Sequence, residues 1–170
     1  MNSEPIDLFA DLIAKEAKAN LADFGAIAST WHMIKNGDVT LVSKSIYSEE
    51  DENEAEDIVK LSVCWLEPEA IIQTTMIDLT DTLTSKHVEG LAIIKHLRGC
   101  NPIASMCKVH RNSRGQVLFF ENVAVNQELD MGGSSFLPYE PATRNPSDSA
   151  RRVVNTIFAP NEERLFKVIR

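Results

Sequence analysis

Apolar residues recur at helical spacing at both ends of the chain. Near the start, an amphipathic helix is predicted from Ser3, a suitable N-cap, to about Asp23, just before Gly25. Its apolar stripe consists of Ile6, Phe9, Leu12, Ile13 and Ala17. A last helix is predicted to begin at residues 145–147 and to end before Pro160. Its stripe consists of Ala150, Val153, Val154, Ile157 and Phe158.

Between these helices the period changes to two, which is typical of β-strands. Side chains alternate over residues 26–34 and again over 39–47, and Asn36-Gly37 separates the two segments. Both residues of this pair tolerate the positive φ angles of a type I′ turn. The pair therefore predicts a tight β-hairpin.

A second hairpin is predicted from the alternation over residues 59–65. Glu67-Pro68-Glu69 should turn the chain, because proline fixes φ and does not continue a central strand. Residues 70–79, which are rich in Ile and Thr, then form the returning strand. Two consecutive hairpins indicate an antiparallel meander of four strands.

A middle helix is predicted from Thr84 or Ser85 to Arg98, with Gly99 as its C-terminal stop. Its inward-facing residues are Val88, Leu91, Ile94 and Leu97. Gly90 lies inside this segment, where glycine is about 1 kcal/mol less favourable than alanine in a helix. We therefore expect another group to pack closely against Gly90.

A third hairpin, over residues 103–110 and 116–125, completes the sheet, and an irregular excursion over 127–145 follows. The predicted order is α-ββββ-α-ββ-α, an α+β fold in which about six antiparallel strands pack with three helices. The length of 170 residues suits a single domain over 1–170, with a C-terminal tail at 160–170.

The net charge of −8 is concentrated in one segment, because seven of the nine residues from 49 to 57 are acidic. Like charges repel and stay solvated, so this segment is predicted to be a mobile loop between two strands. A functional alternative is an acidic mimic that inhibits a nucleic-acid-binding protein. The acidic balance argues against direct binding of nucleic acid or of an anionic membrane.

The sequence also indicates a cellular compartment. It contains no run of about 20 apolar residues that would span a membrane. Residues 1–16 mix charged and apolar side chains, unlike a signal peptide. Three cysteines, an odd number without metal-ligand spacing, fit a reducing compartment. We therefore expect a cytoplasmic protein that does not associate with membranes.

Motifs that carry chemistry are absent from the sequence. There is no GxGxxG, GxxxxGK[ST], HExxH or CxxC motif. The four histidines, His32, His87, His96 and His110, do not share a predicted metal-binding face. Cys100 and Cys107 are expected to be small buried side chains rather than nucleophiles. We therefore expect a non-enzymatic protein without a catalytic residue, a cofactor or a metal ion.

The third hairpin carries the densest group of polar residues. Arg111 and Arg114 could bind a carboxylate or phosphate ligand, and Glu121 could act as an acid or base. This would make the protein a sensor or an enzyme for a small anionic ligand. Alternatively, these residues form the solvated face of an antiparallel sheet.

The order of elements resembles the type III secretion chaperone-like fold group, which includes small acidic secretion chaperones and YbjN-type bacterial regulators. The most similar stretch is residues 83–130, with the sequence HVEGLAIIKHLRGCNPIASMCKVHRNSRGQVLFFENVAVNQELD from His87 onward. The resemblance implies a dimer that binds a partner polypeptide through exposed apolar sheet and helix surface.

We therefore expect a chaperone-like or regulatory module that binds a partner protein and forms a homodimer. Its contact surface is predicted on the last helix and the tail, where an amphipathic face could meet a partner. The residues concerned are Val153, Val154, Ile157, Phe158, Leu165 and Phe166. The alternative for the helix residues is core packing.

Overall fold

Three helices flank a six-stranded antiparallel sheet in the computed structural model, which describes residues 4–80, 84–128 and 146–158. The elements are α1 Glu4–Phe24, β1 Ser29–Lys35, β2 Asp38–Lys44, α2 Glu49–Leu66, β3 Ala70–Thr80, β4 His87–Leu97, β5 Ile103–Arg111, β6 Val117–Glu128 and α3 Asp148–Phe158. The predicted α+β class is confirmed. The observed order in this part of the chain is α-ββ-α-ββββ-α, so the middle helix lies earlier than predicted.

The strands follow the order β2-β1-β3-β4-β5-β6, and every neighbouring pair is antiparallel. The predicted first hairpin is confirmed: Lys35 pairs with Asp38, and Asn36 and Gly37 have φ values of 53° and 84°. Positive φ at both central residues is the signature of the type I′ turn. The third hairpin is also confirmed, with Gly115 at a φ of 78° in its turn.

The acidic segment 49–57 is not a mobile loop, and this prediction was wrong. It forms the first turns of α2, which Ser48 caps by accepting a hydrogen bond from the Asp51 backbone N–H at 3.2 Å. Acidic side chains in the first turn of a helix face the positive end of its dipole, which offsets their mutual repulsion. The Asp51 carboxylate also accepts a hydrogen bond from the Tyr47 backbone N–H, which lowers the pKa of Asp51.

Residues 59–65 belong to the same helix, so the strand predicted there was wrong as well. The alternation misleads because α2 is buried over a wide face, between the sheet and α3. Ser62, a polar position in the alternating pattern, is buried and donates its hydroxyl to the Ile58 carbonyl at 2.7 Å. The predicted turn after this segment is confirmed, since Glu67 ends α2 with a φ of 48°.

The helix predicted over residues 84–98 is the strand β4. The four residues from Gly90 to Ile93 are all buried, because both faces of this central strand are covered. A continuous apolar run of this kind does not distinguish a buried strand from a helix by its period. The expected close packing at Gly90 is confirmed, since a Cβ there would lie 2.7 Å from Leu79 Cδ1.

The sheet separates two apolar cores. Beneath α1, one core joins the helix to β3, β4 and β5 through Ile6, Ile13, Ala17, Leu21, Ala70, Ile72, Leu91, Ile93, Cys107 and Val109. On the opposite face, α2 and α3 pack over Trp31, Met33, Val42 and Ile71. The consecutive residues Ile71 and Ile72 therefore belong to different cores, as expected for alternating side chains. The tail 160–170 and most of the excursion 127–145 lie outside the described residues.

We expect Gly90→Ala to lower the free energy of unfolding by about 1–3 kcal/mol, because the added methyl group overlaps the Leu79 side chain. In a Leu79→Ala background the same change should lower the free energy of unfolding by less, because the closest remaining neighbour of the added methyl group is Ile77 Cγ1 at 3.1 Å. Urea denaturation of the wild-type protein, the two single variants and the double variant measures both changes. An equal decrease in the free energy of unfolding in the two backgrounds would contradict the proposed overlap with Leu79.

Candidate functional site

An open groove of about 620 Å³ lies between the N-terminal half of α2 and the central strands of the sheet. Its floor includes Trp31 of β1, Gln73, Thr75 and Ile77 of β3, and Ile94 and His96 of β4. Its wall on α2 includes Glu49, Glu52, Asn53, Glu56 and Val59. The groove therefore combines an apolar and polar floor with an acidic wall.

The floor is positioned by strand register and by hydrogen bonds between side chains. Gln73 pairs with Ile94 across β3 and β4, and its side chain lies 3.4 Å from Nε2 of the buried His96. Thr75 and Ser29 connect β3 to β1 through their hydroxyl groups at 2.7 Å. These contacts hold the polar groups of the floor in place.

Six of the seven acidic residues of segment 49–57 fall into two groups of three, and the seventh, Glu50, is exposed and does not line the groove. Three of them make internal contacts. Nζ of Lys44 lies 2.6 Å from Oε2 of Glu54 and 3.5 Å from Oδ1 of Asp51. The hydrogen bond between Lys44 and Glu54 raises the pKa of Lys44 and lowers the pKa of Glu54. Asp57 is buried and accepts a hydrogen bond from the Ser147 backbone N–H at 2.8 Å, just before α3.

The second group faces the groove. Glu49, Glu52 and Glu56 are three and four residues apart, so they share one face of α2. Glu56 also forms an ion pair with Lys60 at 3.3 Å. Among the described residues that line the groove there is no Lys or Arg, so the charged groups of its lining are the carboxylates of the α2 wall. The sequence indicates the charge of this segment, but only the helix shows which carboxylates line the groove.

The contact surface predicted on the last helix is only partly exposed. Val154 is fully buried and packs in the core, and Phe158 is partly buried against the same core. Val153 and Ile157 expose 37% and 54% of their surface. Leu165 and Phe166 lie outside the described residues.

The structure does not bring Arg111, Arg114 and Glu121 together. Arg111 forms a two-point ion pair with Glu89, at 2.5 and 2.7 Å, and also donates to the Gly25 carbonyl at 2.9 Å. The hydrogen bonds with Glu89 raise the pKa of Arg111. The ion pair joins β5 to β4, and the bond to Gly25 joins β5 to the residue that follows α1. Glu121 lies 2.7 Å from Nε2 of His110, on the other face of β5. Arg114 is exposed in the hairpin turn.

The histidines and cysteines are dispersed, and within the described ranges no three His, Cys, Asp or Glu side chains are grouped so as to hold a metal ion. Cys107 is buried as expected, and burial raises its pKa. The expectation of burial was wrong for Cys100, which is exposed because it lies in the turn between β4 and β5. His32 is half-buried beneath α1, and burial lowers its pKa below the ordinary value of 6.5.

Comparison with known proteins gave no match to a family model, to a curated protein or to a solved structure. Of the helices in the described part of the chain, none is long and apolar enough to cross a membrane.

The lowered pKa of His32 predicts a specific loss of stability in mild acid. Below about pH 6.5 the unfolded chain protonates this histidine before the folded protein does, so the free energy of unfolding should fall as the pH falls. In the His32→Gln variant this part of the pH dependence should be missing. Urea denaturation of both proteins between neutral and mildly acidic pH gives the comparison, and parallel curves would contradict the prediction.

Proposed function

We propose that this protein is a non-enzymatic module that binds a partner polypeptide, with the groove beside α2 as the docking site. The observation that carries the proposal is the acidic wall formed by Glu49, Glu52 and Glu56 above a floor that combines apolar and polar side chains. An extended or helical segment can place apolar side chains on such a floor and basic side chains against such a wall. The partner is therefore a segment in which basic and apolar residues alternate.

The internal contacts of α2 also favour the binding of a polypeptide over the alternative function as an acidic mimic of nucleic acid. A mimic needs an array of free carboxylates, whereas Asp51, Glu54 and Asp57 are engaged within the fold. The three glutamates of the groove wall lie beside apolar surface, which suits a polypeptide better than it suits a strongly basic nucleic-acid-binding surface. A chaperone-like or regulatory role agrees with what the resemblance to the type III secretion chaperone-like group implies.

The proposal includes a cytoplasmic location and a homodimer. The cytoplasmic location is supported by the three free thiols of Cys64, Cys100 and Cys107. The homodimer is supported by the exposed apolar side chains of Val153 and Ile157 on α3.

A synthetic peptide that alternates leucine and lysine should bind the protein, and its affinity should fall as NaCl is added because added salt screens the charges. The double variant Glu49→Lys/Glu52→Lys should weaken binding by about tenfold or more, which corresponds to roughly 1.4 kcal/mol. Fluorescence anisotropy with the labelled peptide measures these affinities.

The matched control is Glu50→Lys, which changes an exposed acid in the same turn that does not line the groove. It should leave the affinity nearly unchanged. A leucine–glutamate peptide that binds as well as the lysine peptide, or an equal effect of the control variant, would rule out docking in the groove.

The full chain should be a dimer in light-scattering measurements. Ile157→Asp should convert it to a monomer, because a charge in a dimer contact is desolvated without a partner. Thr156→Asp adds the same charge at the neighbouring exposed position and should leave the dimer intact. A wild-type protein that stays monomeric at all concentrations tested would refute self-association through α3.

A further inference from the structure

A cleft of about 350 Å³ lies on the opposite face of the sheet from the groove, beneath the C-terminal half of α1. Strands β1, β2 and β3 form its floor, where Thr30 pairs with both Ser43 and Thr74, and His32 pairs with Leu41. This volume is at the lower end of the range for sites that bind small molecules.

Two buried polar atoms at this floor have no hydrogen-bond partner among the described residues. Thr74 is only 2% exposed, and its Oγ1 makes no hydrogen bond. Nδ1 of His32 is buried and lacks a partner as well. An unpaired buried polar atom destabilises the fold, and valine would fill the place of Thr74 in a strand without that penalty. The stability of the fold alone therefore does not explain why position 74 is a threonine rather than a valine.

The charges of the cleft restrict what could bind there. Glu16 and Asn20 of α1 contribute polar side chains at the exposed edge of the cleft. The described residues that line the cleft include no Lys or Arg, so nothing there neutralises an anion. Phe24 and Leu41 contribute apolar surface.

The hydrogen-bonding character of the floor is complementary to a donor. Burial lowers the pKa of His32 and outweighs the Ile72 carbonyl and the Glu16 carboxylate, which both raise it. The imidazole is therefore neutral near pH 7, and Nδ1 can accept a hydrogen bond when the proton is on Nε2. The Thr74 hydroxyl can accept as well, and the Glu16 carboxylate only accepts. Three residues that can accept a hydrogen bond, Glu16, His32 and Thr74, therefore line one cleft beside apolar surface.

We propose that this cleft binds a small organic amine, with its ammonium group between Glu16, His32 and Thr74 and its apolar body against Phe24 and Leu41. An ammonium group has three donors and no acceptor, so it matches three acceptors. Hydrogen bonds to a charged group are stronger than those between neutral groups. The site is separate from the groove beside α2, and the two can be tested independently.

The test uses three probes of similar shape and different charge: benzylamine, benzyl alcohol and benzoate. In ¹⁵N NMR titrations, benzylamine should produce saturable shifts of the Thr30, Leu41 and Thr74 amides. Benzyl alcohol should bind more weakly, and benzoate should not bind. Glu16→Gln should reduce the benzylamine affinity about tenfold, close to that of benzyl alcohol.

Two neighbouring threonines provide a matched pair of variants. Thr74→Val should raise the Tm, because it removes an unpaired buried hydroxyl, and should weaken benzylamine binding about tenfold. Thr75 lies on the other face of β3, where its hydroxyl is bonded to Ser29. Thr75→Val should therefore lower the Tm and leave benzylamine binding unchanged.

Several outcomes would overturn the proposal. One is the absence of saturable shifts with benzylamine, and another is benzoate binding as tightly as benzylamine. A Thr74→Val variant with raised Tm and unchanged affinity would show that the hydroxyl plays no part in binding. Equal loss of affinity in the Thr74→Val and Thr75→Val variants would show a general effect of stability rather than a site.

Discussion

The width of the sheet is the constraint on which the rest of the structure depends. Six strands at a spacing of about 4.8 Å extend over about 24 Å, whereas a helix with its side chains is about 10–12 Å across. One helix cannot cover such a face. Accordingly α1 contacts β3, β4 and β6 on one face, and α2 contacts β1 and β2 on the other. The two helices are therefore offset across the sheet, and both openings lie at the borders of the helices.

The parts of the fold that the sequence predicts correctly depend on local chemistry. Asn36-Gly37 specifies its turn through the φ angles that these residues tolerate, whatever surrounds the hairpin. Ser147 accepts a hydrogen bond from the Ala150 backbone N–H at 3.1 Å, so the predicted start of the last helix is also set locally. Turns and caps of this kind require no knowledge of the tertiary structure.

The two errors in secondary structure share a tertiary cause. Periodicity indicates a helix or a strand only when one face is buried and the other is solvated. In the segment 59–65, which packs against the sheet and α3, the consecutive residues 61–63 are all buried, and the central strand β4 is buried on both faces at Gly90–Ile93. In each case burial on more than one side removes the contrast between faces. The predicted number of helices and strands agrees with that in the described part of the chain, but the sequence does not show which of these two segments is the helix.

The candidate sites are less predictable than the fold, because they depend on which polar groups remain unpaired after folding. The acids of segment 49–57 look equivalent in the sequence, yet Lys44 and the start of α3 engage three of them. Thr74 and Thr75 are identical neighbours, yet only Thr75 finds a hydroxyl partner, in Ser29. A function is expected at positions where the residue present is unfavourable for folding. Thr74 is such a position, since valine is expected to stabilise its strand, its buried hydroxyl has no partner among the described residues, and the residue lines a cleft that can accommodate a ligand.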